Sequence, residues 1–143
     1  QVFANLVHNA VKFSPPDATV SVSVRRVGDE VEASVTDRGI GIAAADLPRI
    51  FERFYKADRS RTAGGGTGLG LAIAREDARL HAGRLEAWGA RGEGSCFRLT
   101  LPRTVHGPLS ESPLPLEPAD AGPRVQASLA SPYAGPRREE VAK

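Results

Sequence analysis

The chain has 143 residues, 41% of them hydrophobic and 25% charged, enough for one globular domain. Nineteen basic against 17 acidic residues leave a formal charge of +2, which by itself gives no footprint of a nucleic-acid binder. A single cysteine excludes a disulfide framework and a multi-cysteine zinc site, and fits a reducing compartment. No apolar run approaches the ~20 residues of a membrane span and no signal peptide opens the chain. It starts at Gln1, already inside a helical pattern, which predicts a piece of a longer protein.

Val2, Phe3, Leu6, Val7, Ala10 and Val11 recur at helical spacing, and Ser14-Pro15-Pro16 ends that helix. Residues 19–26 alternate, with Val20, Val22 and Val24 on one face. Gly28-Asp29 turns the chain, and Val31, Ala33 and Val35 continue the alternation, which predicts an antiparallel hairpin. A long irregular region from Asp37 to Gly68 follows, with a short helix expected around 46–55. A second long helix is expected from near Leu69 to a C′ glycine at Gly83, then strands at about 84–89 and 96–101 around the turn Arg91-Gly92-Glu93-Gly94. Hairpin-linked strands with two helices on one face give an α+β sandwich over residues 1–102. Residues 103–143 carry seven prolines and few aromatic or β-branched side chains, and predict a disordered tail with polyproline segments.

Three features carry chemistry. At 100° per residue, Asn5, Asn9 and Lys12 share one narrow stripe of the first helix, off its apolar face. An amide oxygen suits Mg²⁺, which otherwise takes water and phosphate oxygens, and Lys12 one turn on can neutralise a phosphate. Asp37 ends a strand whose odd positions are apolar, so it points to the core side and needs a partner there. Next to Gly39 and Gly41, where a flat ligand can approach the backbone, an acceptor-only carboxylate suits the exocyclic amine of adenine and disfavours the carbonyl of guanine. Finally, Gly64-Gly65-Gly66-Thr67-Gly68-Leu69-Gly70 lies directly before a helix, where free N–H groups favour phosphate. Positive charge for a triphosphate comes from Arg49, Arg53, Lys56, Arg59 and Arg61, on a segment that flanking glycines let hinge as a lid. Gly39-x-Gly41-x-x-Ala44 matches the dinucleotide fingerprint, but it follows a hairpin, whereas that fingerprint needs a parallel βαβ unit.

Gln1 to Ser14 resembles the N box of bacterial sensor histidine kinases, and Asp37-Arg38-Gly39-Ile40-Gly41-Ile42 their first glycine box. Phe51-Glu52-Arg53-Phe54-Tyr55 is similar to their phenylalanine box. Gly66-Thr67-Gly68-Leu69-Gly70-Leu71 is similar to their second glycine box, and Gly92-Glu93-Gly94-Ser95-Cys96-Phe97 to the closing box. The segments 76–81, 85–89 and 94–102, with the proline-rich tail, resemble an actinobacterial branch of these kinases.

The resemblance implies the Bergerat ATP-binding fold of the gyrase and histidine-kinase superfamily: a two-layer α/β sandwich, a mixed sheet with helices on one face, and a flexible ATP lid. It implies ATP and Mg²⁺ as cofactors, with Asn9 holding the metal and Asp37 reading adenine. Asn5, Lys12 and Lys56 would serve the phosphates, and Gly39, Gly41, Tyr55, Gly66, Thr67, Gly68, Leu69 and Gly70 would line the pocket or hinge the lid. The hydrolysing relatives carry a glutamate four residues before the magnesium asparagine; here Asn5 stands there, and an amide accepts no proton at neutral pH. Transfer to a histidine is therefore expected, and none of His8, His81 or His106 has the acceptor context. The implied partners are an upstream dimerisation and phosphoacceptor domain and a response regulator, within a homodimeric plasma-membrane sensor whose catalytic domain is cytoplasmic. No nucleic acid is implied. Alternatives are a hydrolysing ATPase or anti-sigma-type serine kinase on the same fold, and a non-catalytic interaction module.

Overall fold

The computed structural model describes residues 1–57 and 66–104. Helix α1 (Val2–Phe13) turns Leu6 and Ala10 into the core, with Lys12 in its last turn where a cation suits the helix dipole. Ser14 ends it in an extended conformation, as a residue before proline should. Strands β1 (Ser21–Val27) and β2 (Glu30–Asp37) form the expected antiparallel hairpin, with Val24 opposite Ala33 and Val22 opposite Val35. After the irregular stretch come α2 (Gly70–Leu80), β3 (Arg84–Ala90) and β4 (Gly94–Pro102). The sheet order is β1-β2-β4-β3.

Three expectations change. All pairings among the described strands are antiparallel, where the resemblance implied a mixed sheet. The helix expected around 46–55 is a chain of turns. Asp46 and Arg49 donate three residues back, Leu47 and Ile50 four back, and Pro48 has no N–H with which to extend a regular ladder. Gly83 does not supply the left-handed residue at the end of α2; Ala82 does, with φ 54°. Gly83 N–H bonds the Ala78 carbonyl and Ala82 N–H that of Arg79, a Schellman closure shifted by one residue. Gly83 is needed for clearance instead, since a Cβ there would stand 2.6 Å from the Thr100 carbonyl oxygen.

Both helices lie on one face of the sheet. Leu6, Ala10, Ala74 and Ala78 pack over Val35, Leu85, Ala87, Phe97 and Leu99, and Leu47, Ile50 and Phe51 from the irregular stretch close the core. Phe51 meets Phe97 edge-on, ring centroids 6.4 Å apart. Strand β1 is an edge: Val22 and Val24 alternate toward the helix side as expected, yet are 50% and 64% exposed. Cys96 lies across the sheet from Phe97, packed against Trp88, and accepts a hydrogen bond from the Thr36 hydroxyl. Burial pushes its thiol pKa above the ordinary value.

Candidate functional site

Asp37 occupies the last position of β2, and antiparallel register sets it opposite Ser95 of β4. It is 4% exposed. One carboxylate oxygen accepts the Gly39 N–H at 2.8 Å and the other accepts the Ser95 hydroxyl. Each oxygen has a second lone pair, so a fixed, buried acceptor remains for a ligand donor. Beyond it the chain turns through Gly41, whose φ is +68° and whose missing Cβ would lie 1.8 Å from the Ala90 carbonyl oxygen. A bond from Gly92 N–H to the Ile40 carbonyl ties the same loop to the β3–β4 turn. Gly41→Ala is expected to destabilise the domain by about 2 kcal/mol, read as a fall of roughly 8–16 °C in Tm. Gly28→Ala, also at positive φ but with open space around it, should cost about 1 kcal/mol.

A cavity of about 350 Å³ opens between α1, this loop and the N-terminus of α2. Asn5, Asn9 and Lys12 line it from α1, Asp37, Gly41 and Ser95 from the sheet end, Tyr55 and Lys56 from the irregular stretch, and Gly66, Thr67, Gly68 and Gly70 from the glycine run. The helix stripe and the strand-end carboxylate therefore face one cavity. Lys12 reaches across to the run: its Nζ stands 3.2 Å from where a Cβ on Gly66 would be. The first turn of α2 has no side-chain cap, so its N–H groups remain as donors at this end. Amide and ammonium at one end and a carboxylate at the other match a ligand with an anionic tail and an amine-bearing head.

Two predicted residues are not in the lining. Gly39 packs beneath it, since a Cβ there would stand 2.3 Å from the Phe13 carbonyl oxygen, so its bareness serves the loop-to-helix contact. Leu69 sits just before α2 and its N–H is 3.4 Å from the Thr67 hydroxyl. Asn5 lines the cavity, but its amide also donates to the Gly70 carbonyl at 3.2 Å and bridges α1 to the start of α2. Of the basic segment, Arg49 is drawn to Glu52 at 3.3 Å and stacks over Tyr55, whose hydroxyl donates to Asp46. Phe54 is 71% exposed at φ 65°, its N–H bonded to the Gly68 carbonyl. Arg59, Arg61, Gly64, Gly65 and most of the expected lid lie outside the described residues.

The sequence reading missed Ser95, His8, Asp46 and Arg91 as lining residues. Ser95 was within reach of alternation alone, since it falls on the same face as Phe97, Leu99 and Leu101; its pairing with Asp37 needed the register. No signal in the sequence singled out Asp46 or Arg91.

Helices on one face of a four-stranded sheet, over a cavity bounded by a helix-borne amide stripe and a glycine run, define a two-layer α/β sandwich with a polar cleft at one end of the sheet. Residues 1–105 match the model of the "Histidine kinase-, DNA gyrase B-, and HSP90-like ATPase" family, and the chain belongs to it. It is 44% identical over 144 aligned residues to the sensor histidine kinase MtrB of Mycobacterium leprae (strain TN), covering 99% of this chain and 25% of MtrB. Among solved structures it resembles the mycobacterial sensor histidine kinase MprB (TM-score 0.63, 31% identity, 71% of this chain and 67% of that one). It also resembles full-length ShkA in complex with AMPPNP (TM-score 0.62, 32% identity, 71% and 20%). The chain thus spans about a quarter of the curated relative's length.

Proposed function

We propose that this domain binds ATP with Mg²⁺ and presents the γ-phosphoryl group to a histidine on an upstream dimerisation domain of the longer protein, for relay to a response regulator. The observation that carries it is the convergence of Asn9 and Asp37 on one cavity. The related ShkA structure holds an ATP analogue, which supports the same class of ligand here.

The donor set fits the metal. Asn9 lines the cavity, and its side chain offers a neutral amide oxygen as the protein's contribution. That suits an ion carried mainly by phosphate oxygens and water. When bound, Mg²⁺ would neutralise charge on the transferring phosphoryl group. The chain's own residues do the rest. Asp37 accepts the adenine amine, Lys12 and Lys56 neutralise phosphate oxygens, and the first N–H groups of α2 donate to them. Asn5, through Gly70, holds the start of α2 in place; it is a positioning residue, and as an amide it activates no water. Catalysis is then positioning and charge neutralisation for an incoming nucleophile.

No helix among the described residues is long and apolar enough to cross a membrane. A membrane anchor, a homodimer and a cytoplasmic setting belong to the longer protein in this proposal, as in sensor kinases generally. We propose residues 1–102 as the catalytic unit; the tail expected over 103–143 lies, from residue 105 on, outside the described residues.

The test is γ-labelled ATP supplied with this chain, with and without a dimerisation and phosphoacceptor domain from the parent reading frame. Label on that domain's histidine only when both are present supports transfer. Free phosphate released by this chain alone supports a hydrolysing ATPase instead, and label on a serine of an added protein supports a serine kinase.

A further inference from the structure

Asp46 and Tyr55 both line the cavity, and the Tyr55 hydroxyl donates to an Asp46 carboxylate oxygen at 2.7 Å. A regular α-helix would keep them apart: at 100° per residue, the steps from 46 to 55 end about half a turn away. The turns of this stretch bring them together instead. Arg49 N–H bonds the Asp46 carbonyl, Glu52 N–H that of Arg49 and Tyr55 N–H that of Glu52, each three residues back, and such a ladder stacks every third side chain on one side. Leu47, Ile50 and Phe51 meanwhile anchor the stretch in the core. Phe54 holds the strain of this geometry. Its φ of 65° is a conformation that a bulky residue keeps only where its surroundings impose it, and its N–H is fixed to the Gly68 carbonyl at 2.9 Å. Over the Tyr55 ring, the Arg49 guanidinium stands 4.5 Å from the centroid and is held by Glu52. Arg49 is not a lining residue, so its guanidinium backs the ring from outside the cavity.

We propose that Asp46 is a positioning residue, which through the Tyr55 hydroxyl fixes that ring as a side wall for the base of the nucleotide. The inference rests on the nucleotide reading and adds to it a residue that acts through another side chain. A tyrosine loses rotational freedom when a flat ligand orders its ring, and each side chain immobilised on binding lowers affinity. A ring already held at its hydroxyl by Asp46, on one face by Arg49 and at its main chain by Glu52 has little freedom left to lose. The charge of Asp46 works the other way. An acid in the lining repels a triphosphate, so anion binding alone would favour a neutral residue there. The hydrogen bond to Tyr55 is the role that the geometry gives it.

These two effects have opposite signs, and the test uses the difference. Mg·ATP and magnesium tripolyphosphate, which has no base, are titrated calorimetrically into the full chain and its variants. Asp46→Ala should weaken ATP binding about three- to tenfold and leave tripolyphosphate unchanged or slightly tighter. Tyr55→Phe keeps the ring and deletes one oxygen; it should match that loss for ATP, and the double variant should be no weaker than either single one. Asp46→Asn keeps an acceptor for the hydroxyl, so its ATP affinity should equal or exceed that of the unaltered chain. An ATP affinity unchanged in both Asp46→Ala and Tyr55→Phe overturns the proposal and leaves the nucleotide reading standing. Equal weakening of ATP and tripolyphosphate also overturns it, since Asp46 would then support the domain and not the ring. Losses that add in the double variant, or an asparagine as damaging as alanine, overturn it as well. Should Asp46→Ala lose its circular dichroism signal, the other two variants decide: weaker ATP binding in Tyr55→Phe with none lost in Asp46→Asn supports the role, and any other pair of results overturns it. An unaltered chain that takes up neither ligand removes the nucleotide reading, and this inference with it.

Discussion

Asp37→Asn should weaken ATP binding by about 3–4 kcal/mol, roughly 150- to 1,000-fold in Kd, while leaving the domain folded. The reason lies in what the carboxylate already does. Its two oxygens accept from Gly39 N–H and the Ser95 hydroxyl, and their remaining lone pairs are what an adenine amine would use. An asparagine has one acceptor and one donor. Turned so that its oxygen keeps Gly39, it aims its NH₂ at Ser95 and at the ligand amine; turned the other way, it opposes the Gly39 N–H. Ser95 can rotate its hydroxyl to accept, which spares the fold, but the ligand amine cannot adapt. The same NH₂ can donate to the carbonyl oxygen of guanine, so the preference for ATP over GTP should shrink or reverse. Calorimetric titration of both nucleotides into both proteins checks it, and an unchanged ATP affinity removes Asp37 from the site.

At the other end, Asn9→Ala should cost about a hundredfold in affinity for Mg·ATP, near 2.7 kcal/mol, and far less for ATP in the presence of a chelator. Alanine is the better helix former, so α1 should hold as well or better without the amide. What the variant loses is the dependence on magnesium. Titrations with and without the metal separate this from a general weakening, which would lower both affinities alike and would argue that Asn9 only packs.

The sequence carried the local elements well, because each is written in neighbouring residues. The amphipathic stripe of α1, the valine alternation of β1 and β2 and the glycine-bounded turn at 91–94 all reappear. Where reading failed, one residue or a distant partner decided. Pro48 breaks what looked like a helix start, and Ala82 takes the left-handed position that a glycine at 83 seemed to claim. Asn5 shares its stripe with Asn9 and Lys12, but its bond to Gly70 spans 65 residues and no periodicity reveals it. Ser95 meets Asp37 across 58 residues, through a strand order that places β4 between β2 and β3. Alternation assigned Cys96 and the helix-side residues to opposite faces correctly.

In the proposed reading, one cavity takes a purine triphosphate lengthwise, with its amine at the sheet end and its metal at the helix. A structure of this chain with Mg²⁺ and a non-hydrolysable ATP analogue tests it most directly. The adenine amino nitrogen should lie within about 3 Å of an Asp37 carboxylate oxygen and the metal at the Asn9 amide oxygen. An analogue seated with its base away from Asp37, or a metal held without Asn9, contradicts it.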